Sequence, residues 1–221
     1  MDQLSEVPGD RTASRFAYAA AVTGAIGVVT LGAMYAVEVP RGGPYVFGTI
    51  NDATGAVFNV LVIPVILQVH RRVPPAPGTE PMKWITVSAC AAGAASSALL
   101  VFKVLDFNSS TAISIAAITV QGAWFFLIHG RLRKVEEYPR SLSRLGRFIG
   151  GAMLVGLPAA GAGYALQGPE WLRMALMGAG ITVGAAAWLA WPYWYFRAGQ
   201  YFGHRLHRGA TPATPKPGVK G

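Results

Sequence analysis

Cysteine is almost missing from this chain. Cys90, in the middle of an apolar run, is the only one, which excludes a disulfide framework or a cysteine-based zinc site within one chain and leaves a small buried packing residue as its natural reading. Charge is scarce as well. Charged residues fill 13% of 221 positions, about half the share usual in a soluble domain, so a soluble fold would lack the exterior it needs. No cluster of acids is present that could hold Mg²⁺. There is also no Gly-rich phosphate loop, no G-x-S-x-G elbow and no H-E-x-x-H motif. The four histidines, His70, His129, His204 and His207, lack the spacing of haem or zinc ligands. They read as interfacial residues flanked by arginine, and neither metal nor cofactor is expected.

What is present is apolar. Hydrophobic residues make up 52% of the chain and glycines number 27, as expected where helices pack closely in lipid. Six apolar stretches, at 16–37, 45–69, 84–105, 111–128, 148–166 and 171–196, each approach the ~20 residues a helix needs to cross the hydrocarbon. The fold class is therefore all-α: a polytopic integral membrane protein with a bundle of six transmembrane helices. The leader carries Asp2, Glu6 and Asp10, so the first stretch reads as an uncleaved span rather than a signal peptide. The division is a polar tail at 1–15, a six-helix domain at 16–197, and a basic, Pro-rich tail at 198–221 that lacks apolar periodicity.

Net charge is +9, and its placement predicts orientation. All of the 19 Lys and Arg residues except Arg41, Lys103 and Arg173 lie in the tails or in the two connections at 70–83 and 129–147. By the positive-inside rule both termini face the cytoplasm of a cell membrane. The bases are scattered through short loops rather than gathered on one folded face, so the expected partner is the bilayer with its anionic lipids, not nucleic acid. Trp191, Tyr193, Trp194, Tyr195, Tyr201 and Phe202, running into Arg197, His204, Arg205, His207 and Arg208, read as an inner interfacial belt and headgroup anchor. An aromatic cage for a cation is the alternative there. The second and fourth spans end alike, in VILQVHRRV and FFLIHGRLR, but no inverted repeat divides the chain.

The second span is the most informative. Gly48, Asp52, Gly55 and Asn59 recur at helical spacing along one face. An ionised Asp52 nearly two turns inside the membrane is costly by roughly 2.5–3.5 kcal/mol, and an intramembrane acid points to function by default. The third span brings Lys103 to similar depth with Ser96 on the same face, and the fourth adds Thr119 and Gln121 near mid-membrane. Together they predict an outward-facing polar cleft with Asp52 paired to Lys103. A structural reading stands beside it. Ala89–Gly93–Ser97 and Gly180–Gly184 form packing seams, Asn59 and Gln121 bond between helices at about 0.6 kcal/mol, and Lys103 snorkels outward beside Asp106. Pro64, Pro158 and Pro192 sit inside spans and predict kinks.

The loop EEYPRSLSRLGR leading into FIGGAMLVGLP carries Pro139-Arg140-Ser141-Leu142-Ser143-Arg144-Leu145-Gly146. This Pro-Arg-x-Leu-x-x-Leu-Gly pattern, with FNVLVIPVILQVHRR in the second span, resembles an uncharacterised group of bacterial six-span membrane proteins, which carries no established activity to transfer. On physical grounds Leu142 and Leu145 are expected to dip into the interface while Arg140, Arg144 and Arg147 meet lipid phosphate.

Three functions are compatible with these residues. The first is binding or transport of a small or amphiphilic molecule at Asp52, Asn59, Ser96, Lys103 and Gln121. The second is a membrane-embedded isomerase or cyclase with Asp52 as acid or base, aided by Glu38, Asp106, Glu170 or Tyr164. The third is a helper subunit without a site. Oligomerisation is left open.

Overall fold

The computed structural model of the protein describes residues 9–165 and 168–209, excepting the side chains of 157, 162, 164, 165 and 204–209. Six long helices follow one another: α1 (Asp10–Ala33), α2 (Val46–His70), α3 (Thr79–Val101), α4 (Phe107–Leu132), α5 (Arg140–Ala165) and α6 (Glu170–Gly209). A π turn (Met34–Glu38) and a 3₁₀ turn (Val39–Arg41) prolong α1. No strand occurs among the described residues. Five helices, all but α5, are long and apolar enough to cross a membrane. Val22, Val29, Val60 and Leu189 lie exposed on their outer faces, the distribution expected where lipid replaces water.

Each helix packs against its neighbours in the chain, and α1 also packs against α6. The bundle is therefore a closed ring. One end of it carries the α1–α2, α3–α4 and α5–α6 connections; the other carries the α2–α3 and α4–α5 connections.

Helix limits follow local chemistry. The α1–α2 connection turns through Gly42 (φ 72°) and Gly43 (φ 107°), conformations that only glycine adopts without strain. The Glu38 side chain is buried and accepts from the amides of Phe47 (2.8 Å) and Gly48 (3.2 Å). It satisfies two of the free donors at the α2 N-terminus and complements the helix dipole. Asp106 does the same for α4, accepting from Ser109 N at 3.0 Å and Ser109 Oγ at 2.6 Å. These bonds hold its carboxyl below the usual range.

Several expectations are corrected here. The first helix begins at Asp10, not at residue 16, because Asp10 is an anchor rather than part of a polar tail. Its buried carboxylate accepts from Gln68 Nε2 at 2.7 Å and pairs with Arg72. Close by, Ser14 Oγ donates to Gly199 O at 2.8 Å, so α1, α2 and α6 are tied where the ring closes. The third helix ends at Val101, short of residue 105, and Lys103 stands beyond it with φ 59°. Pro64, Pro158 and Pro192 lie inside helices, as their positions in the sequence predict.

The aromatic belt is a core. Trp194, Tyr195 and Phe202 are inaccessible to solvent, Trp191 nearly so, and only Tyr193 of the six is exposed. Phe125 packs edge-on against Trp124 (5.0 Å), Trp194 (4.9 Å) and Trp191 (6.2 Å). Two of the three indoles find partners: Trp124 Nε1 donates to His70 Nε2 at 2.7 Å and Trp194 Nε1 to Leu142 O at 3.1 Å, while Trp191 Nε1 is buried without one. The alternative reading, a cage for a foreign cation, meets a cation of the chain itself. The Arg72 guanidinium lies 4.9 Å from the Phe202 ring and 5.6 Å from Tyr201. His204, Arg205, His207 and Arg208 have side chains outside the described set.

His129 is likewise not interfacial. It is completely buried, stacked on Phe125 at 5.2 Å, with Nδ1 3.0 Å from Phe125 O. Tyr138 and the start of α5 cover it. Leu142 is buried in the bundle rather than dipping into lipid: its side chain belongs to the core cluster and its carbonyl accepts from Trp194 Nε1. Arg140 and Arg144 are exposed, and Arg147 is half-buried over the Phe126 ring at 5.0 Å.

Candidate functional site

The end of the ring opposite this aromatic core is hollow. A cavity of about 910 Å³ lies among α1, α2, α3, α4 and α6. The sequence pattern on α2 is what opens it: Gly48, Asp52, Gly55 and Asn59 all line it. Two glycines substitute backbone for side-chain volume, and two polar residues a helical repeat apart face the same space. Phe58, Trp188 and Trp191 line its inner part, with Trp191 and Phe58 5.2 Å apart edge to face. Below them Phe125 and Tyr195 pack on the same rings. The cavity is blind, floored by the aromatic core.

Near the floor a hydrogen-bond relay crosses from α2 to α4. Asn59 Nδ2 donates to Gly55 O at 2.9 Å, which turns Asn59 Oδ1 toward α4, where it accepts from Gln121 Nε2 at 3.1 Å. The relay fixes which end of each carboxamide is which. It leaves Gln121 Oε1 buried without a partner, on a residue 2% exposed that lines the cavity. Gly93 makes room for this arrangement, since a Cβ there would stand 3.3 Å from Asn59 Nδ2. The Ala89–Gly93–Ser97 seam thus seats a polar side chain as well as a neighbouring helix.

Of the residues singled out from sequence, Asp52, Asn59, Lys103 and Gln121 share this cavity. Asp52 is half-buried, and its hydrogen-bonding neighbour is Asn51. The expected pairing of Asp52 with Lys103 does not form: among the described residues the ion pairs are Arg72–Asp10 and Lys83–Glu80. The backbone explains why. Lys103 has left the helix, so its side chain sits exposed at the mouth instead of on the face that Ser96 occupies. Ser96 does not line the cavity either; its hydroxyl is 3.0 Å from Ser110 Oγ across the α3–α4 seam. Thr119 turns its hydroxyl back onto Ile115 O at 2.8 Å.

Of the further acids named from sequence, Glu38 and Asp106 are engaged as helix caps and Glu170 is an exposed first residue of α6. The Tyr164 side chain is outside the described set. Asp52 is the cavity's one carboxylate among the described residues. The sequence reading missed the contributions of α1 and α6, including Thr23, Tyr35, Trp188 and Trp191. The i, i+3 spacing of the two tryptophans is a usable signal, but the interfacial belt expected from sequence includes Trp191 and not Trp188. No grouping of three or more His, Cys, Asp or Glu suited to a metal occurs among the described residues.

No protein-family model, curated protein or solved structure matches this chain.

Proposed function

We propose that the chain is a six-span protein of the cell membrane with both termini in the cytoplasm, and that it binds or carries a small or amphiphilic molecule in a polar cleft around Asp52 that opens to the outside. The observation that carries this reading is the unsatisfied Gln121 Oε1 at the wall of a cavity that also holds Asp52. A buried acceptor without a partner costs about 1–3 kcal/mol, and an acid within a membrane helix is retained against a similar cost. Two such residues lining one hollow favour a site over a packing seam.

The sixth span is α5. Its 26 residues lie between α4 and α6 in the ring, and after Arg147 it carries no charged residue. Orientation rests on the bases: the end away from the cavity holds Arg71, Arg72, Arg131, Arg133, Lys134, Arg140, Arg144 and Arg147, and cytoplasmic loops are where such residues collect. Arg140, Arg144 and Arg147 would meet anionic headgroups there. The blind floor favours binding, or carriage with a change of shape, over an open pore. A single carboxylate in the cavity gives the isomerase or cyclase alternative no partner acid.

Labelling of single cysteines in a Cys90→Ala background tests the reading in whole cells. Ser109→Cys and Asp52→Cys should react with a small membrane-impermeant thiosulfonate from outside, and Ala76→Cys only after permeabilisation. Reaction of Ser109→Cys only after permeabilisation overturns the orientation; an unreactive Asp52→Cys beside a reactive Ser109→Cys overturns the outward cleft.

A further inference from the structure

The polar groups of the cavity differ in kind, and the difference specifies a ligand. Asp52 offers a charged acceptor, whereas Gln121 Oε1 is a neutral acceptor left over by the Asn59 relay. Asp52 and Asn59 are seven residues apart on α2, about 10 Å along the helix axis, and Gln121 bonds to Asn59 from α4. The lining between these levels includes Gly55, Phe58, Gly93 and Ala117 with Trp188 and Trp191, apolar surface and aromatic faces broken by the hydroxyl side chains of Thr54 and Ser97. Lys103, the other charge lining the cavity, is exposed at the mouth.

We infer that the ligand is an amphiphilic monoamine carrying a neutral O–H or N–H donor at the far end of an apolar spacer, its ammonium on the Asp52 carboxylate and its second donor on Gln121 Oε1. Charge matching places the ammonium. A cation taken into an apolar site needs an anionic partner, and only Asp52 supplies one; at Gln121 a second ammonium would be buried against a neutral group, while a hydroxyl or amide N–H suits it. Lys103 disfavours a dication at the mouth on the same grounds. A single six-membered ring with a short alkyl arm is a spacer of the length that seven helical residues ask for. Trp188 and Trp191 would stack on the spacer. Gln121 Oε1 is itself buried, so its engagement needs a small movement of the ligand or of the side chains that cover it.

This inference rests on the cleft reading, and its test separates the two. The full chain in lipid nanodiscs is titrated with tyramine, with phenethylamine, which lacks the hydroxyl, and with 4-ethylphenol, which lacks the ammonium. Tryptophan fluorescence reports binding, checked by calorimetry. Tyramine is expected to bind at least tenfold more tightly than either truncated probe. Gln121→Leu should bring tyramine down to the level of phenethylamine and leave phenethylamine unchanged. Asp52→Asn should weaken both amines at least tenfold and spare 4-ethylphenol. Equal binding of tyramine and phenethylamine means that water satisfies Gln121, and overturns the inference. Binding of 4-ethylphenol alone, insensitive to Asp52→Asn, overturns it too and leaves an apolar cleft standing. Failure of all three probes overturns the ligand class, and the thiol labelling of Asp52→Cys then decides separately whether the cleft reading survives. Should Gln121→Leu not fold, Gln121→Glu replaces it: an added carboxylate should make 1,4-diaminobutane bind where the native protein does not.

Discussion

Gly146 faces the imidazole of His129 so closely that a Cβ at position 146 would lie 2.4 Å from His129 Cδ2 and 2.5 Å from Cγ. The glycine that ends the Pro-Arg-x-Leu-x-x-Leu-Gly pattern is therefore a seat for a buried ring. Leu142, earlier in the pattern, receives the Trp194 indole on its carbonyl. The motif docks the start of α5 onto α4 and α6, and leaves Arg140 and Arg144 exposed.

Gly146→Ala should accordingly destabilise the detergent-solubilised protein by about 1–3 kcal/mol, the usual cost of overpacking a core. Gly178→Ala, where a Cβ meets nothing within 4 Å, should be neutral or slightly stabilising, since alanine is the better helix former. Thermal unfolding of the pair checks both, and equal behaviour of the two variants would contradict the seat.

Asp10 and Arg72 form a buried pair at the ring closure. Removing one partner leaves a buried charge alone, which costs about 3–5 kcal/mol. Arg72→Met should lose that much, and Asp10→Asn/Arg72→Met should recover a good part of it. Strictly additive losses in urea unfolding would show that the two groups act independently.

The Tyr138 hydroxyl is buried without a hydrogen-bond partner, and burial pushes its ionisation well above the ordinary phenol value. Removing an unsatisfied buried polar group is neutral or favourable. Tyr138→Phe should match or exceed the native melting temperature; a loss of more than about 1 kcal/mol would reveal an ordered partner for the hydroxyl.

How far the fold could be read from sequence depended on the kind of signal. Six helical segments and their connections follow from long apolar runs interrupted by Pro-Gly-rich stretches, and the cavity face of α2 follows from residues spaced three and four apart. Surroundings did not follow. Trp194 and His129 have the composition of an interfacial belt, and the packing of α4, α5 and α6 on one another buries them. Asp10 looked like tail because its partner Arg72 is far away in sequence. Lys103 was placed by counting along an apolar run, which cannot sense that the helix stops at Val101. The cleft was recognised through its polar residues, while its aromatic floor went unnoticed because tryptophans near a membrane boundary have a ready alternative explanation.

Asp106 ties the opposite connection to pH. Hydrogen bonds to Ser109 depress its carboxyl, and a depressed folded value means the stabilisation is present above the unfolded carboxylate range and lost as pH falls through the folded value. Asp106→Asn keeps a capping oxygen but cannot titrate. Hydrogen exchange at the first turn of α4 should rise on acidification in the native chain and stay flat in the variant. A parallel rise in both would assign the acid sensitivity elsewhere.

The central claim is that Asp52 is free for a ligand and is not one half of a structural ion pair. Unfolding of Asp52→Asn, Lys103→Met and the double variant, measured in the same detergent, tests it most directly. The account predicts that each single variant stays within about 1 kcal/mol of the native protein, or above it for Asp52→Asn, with additive effects in the double. Losses of about 3–5 kcal/mol in both single variants, recovered when they are combined, would show a desolvated pair and make Asp52 part of the scaffold.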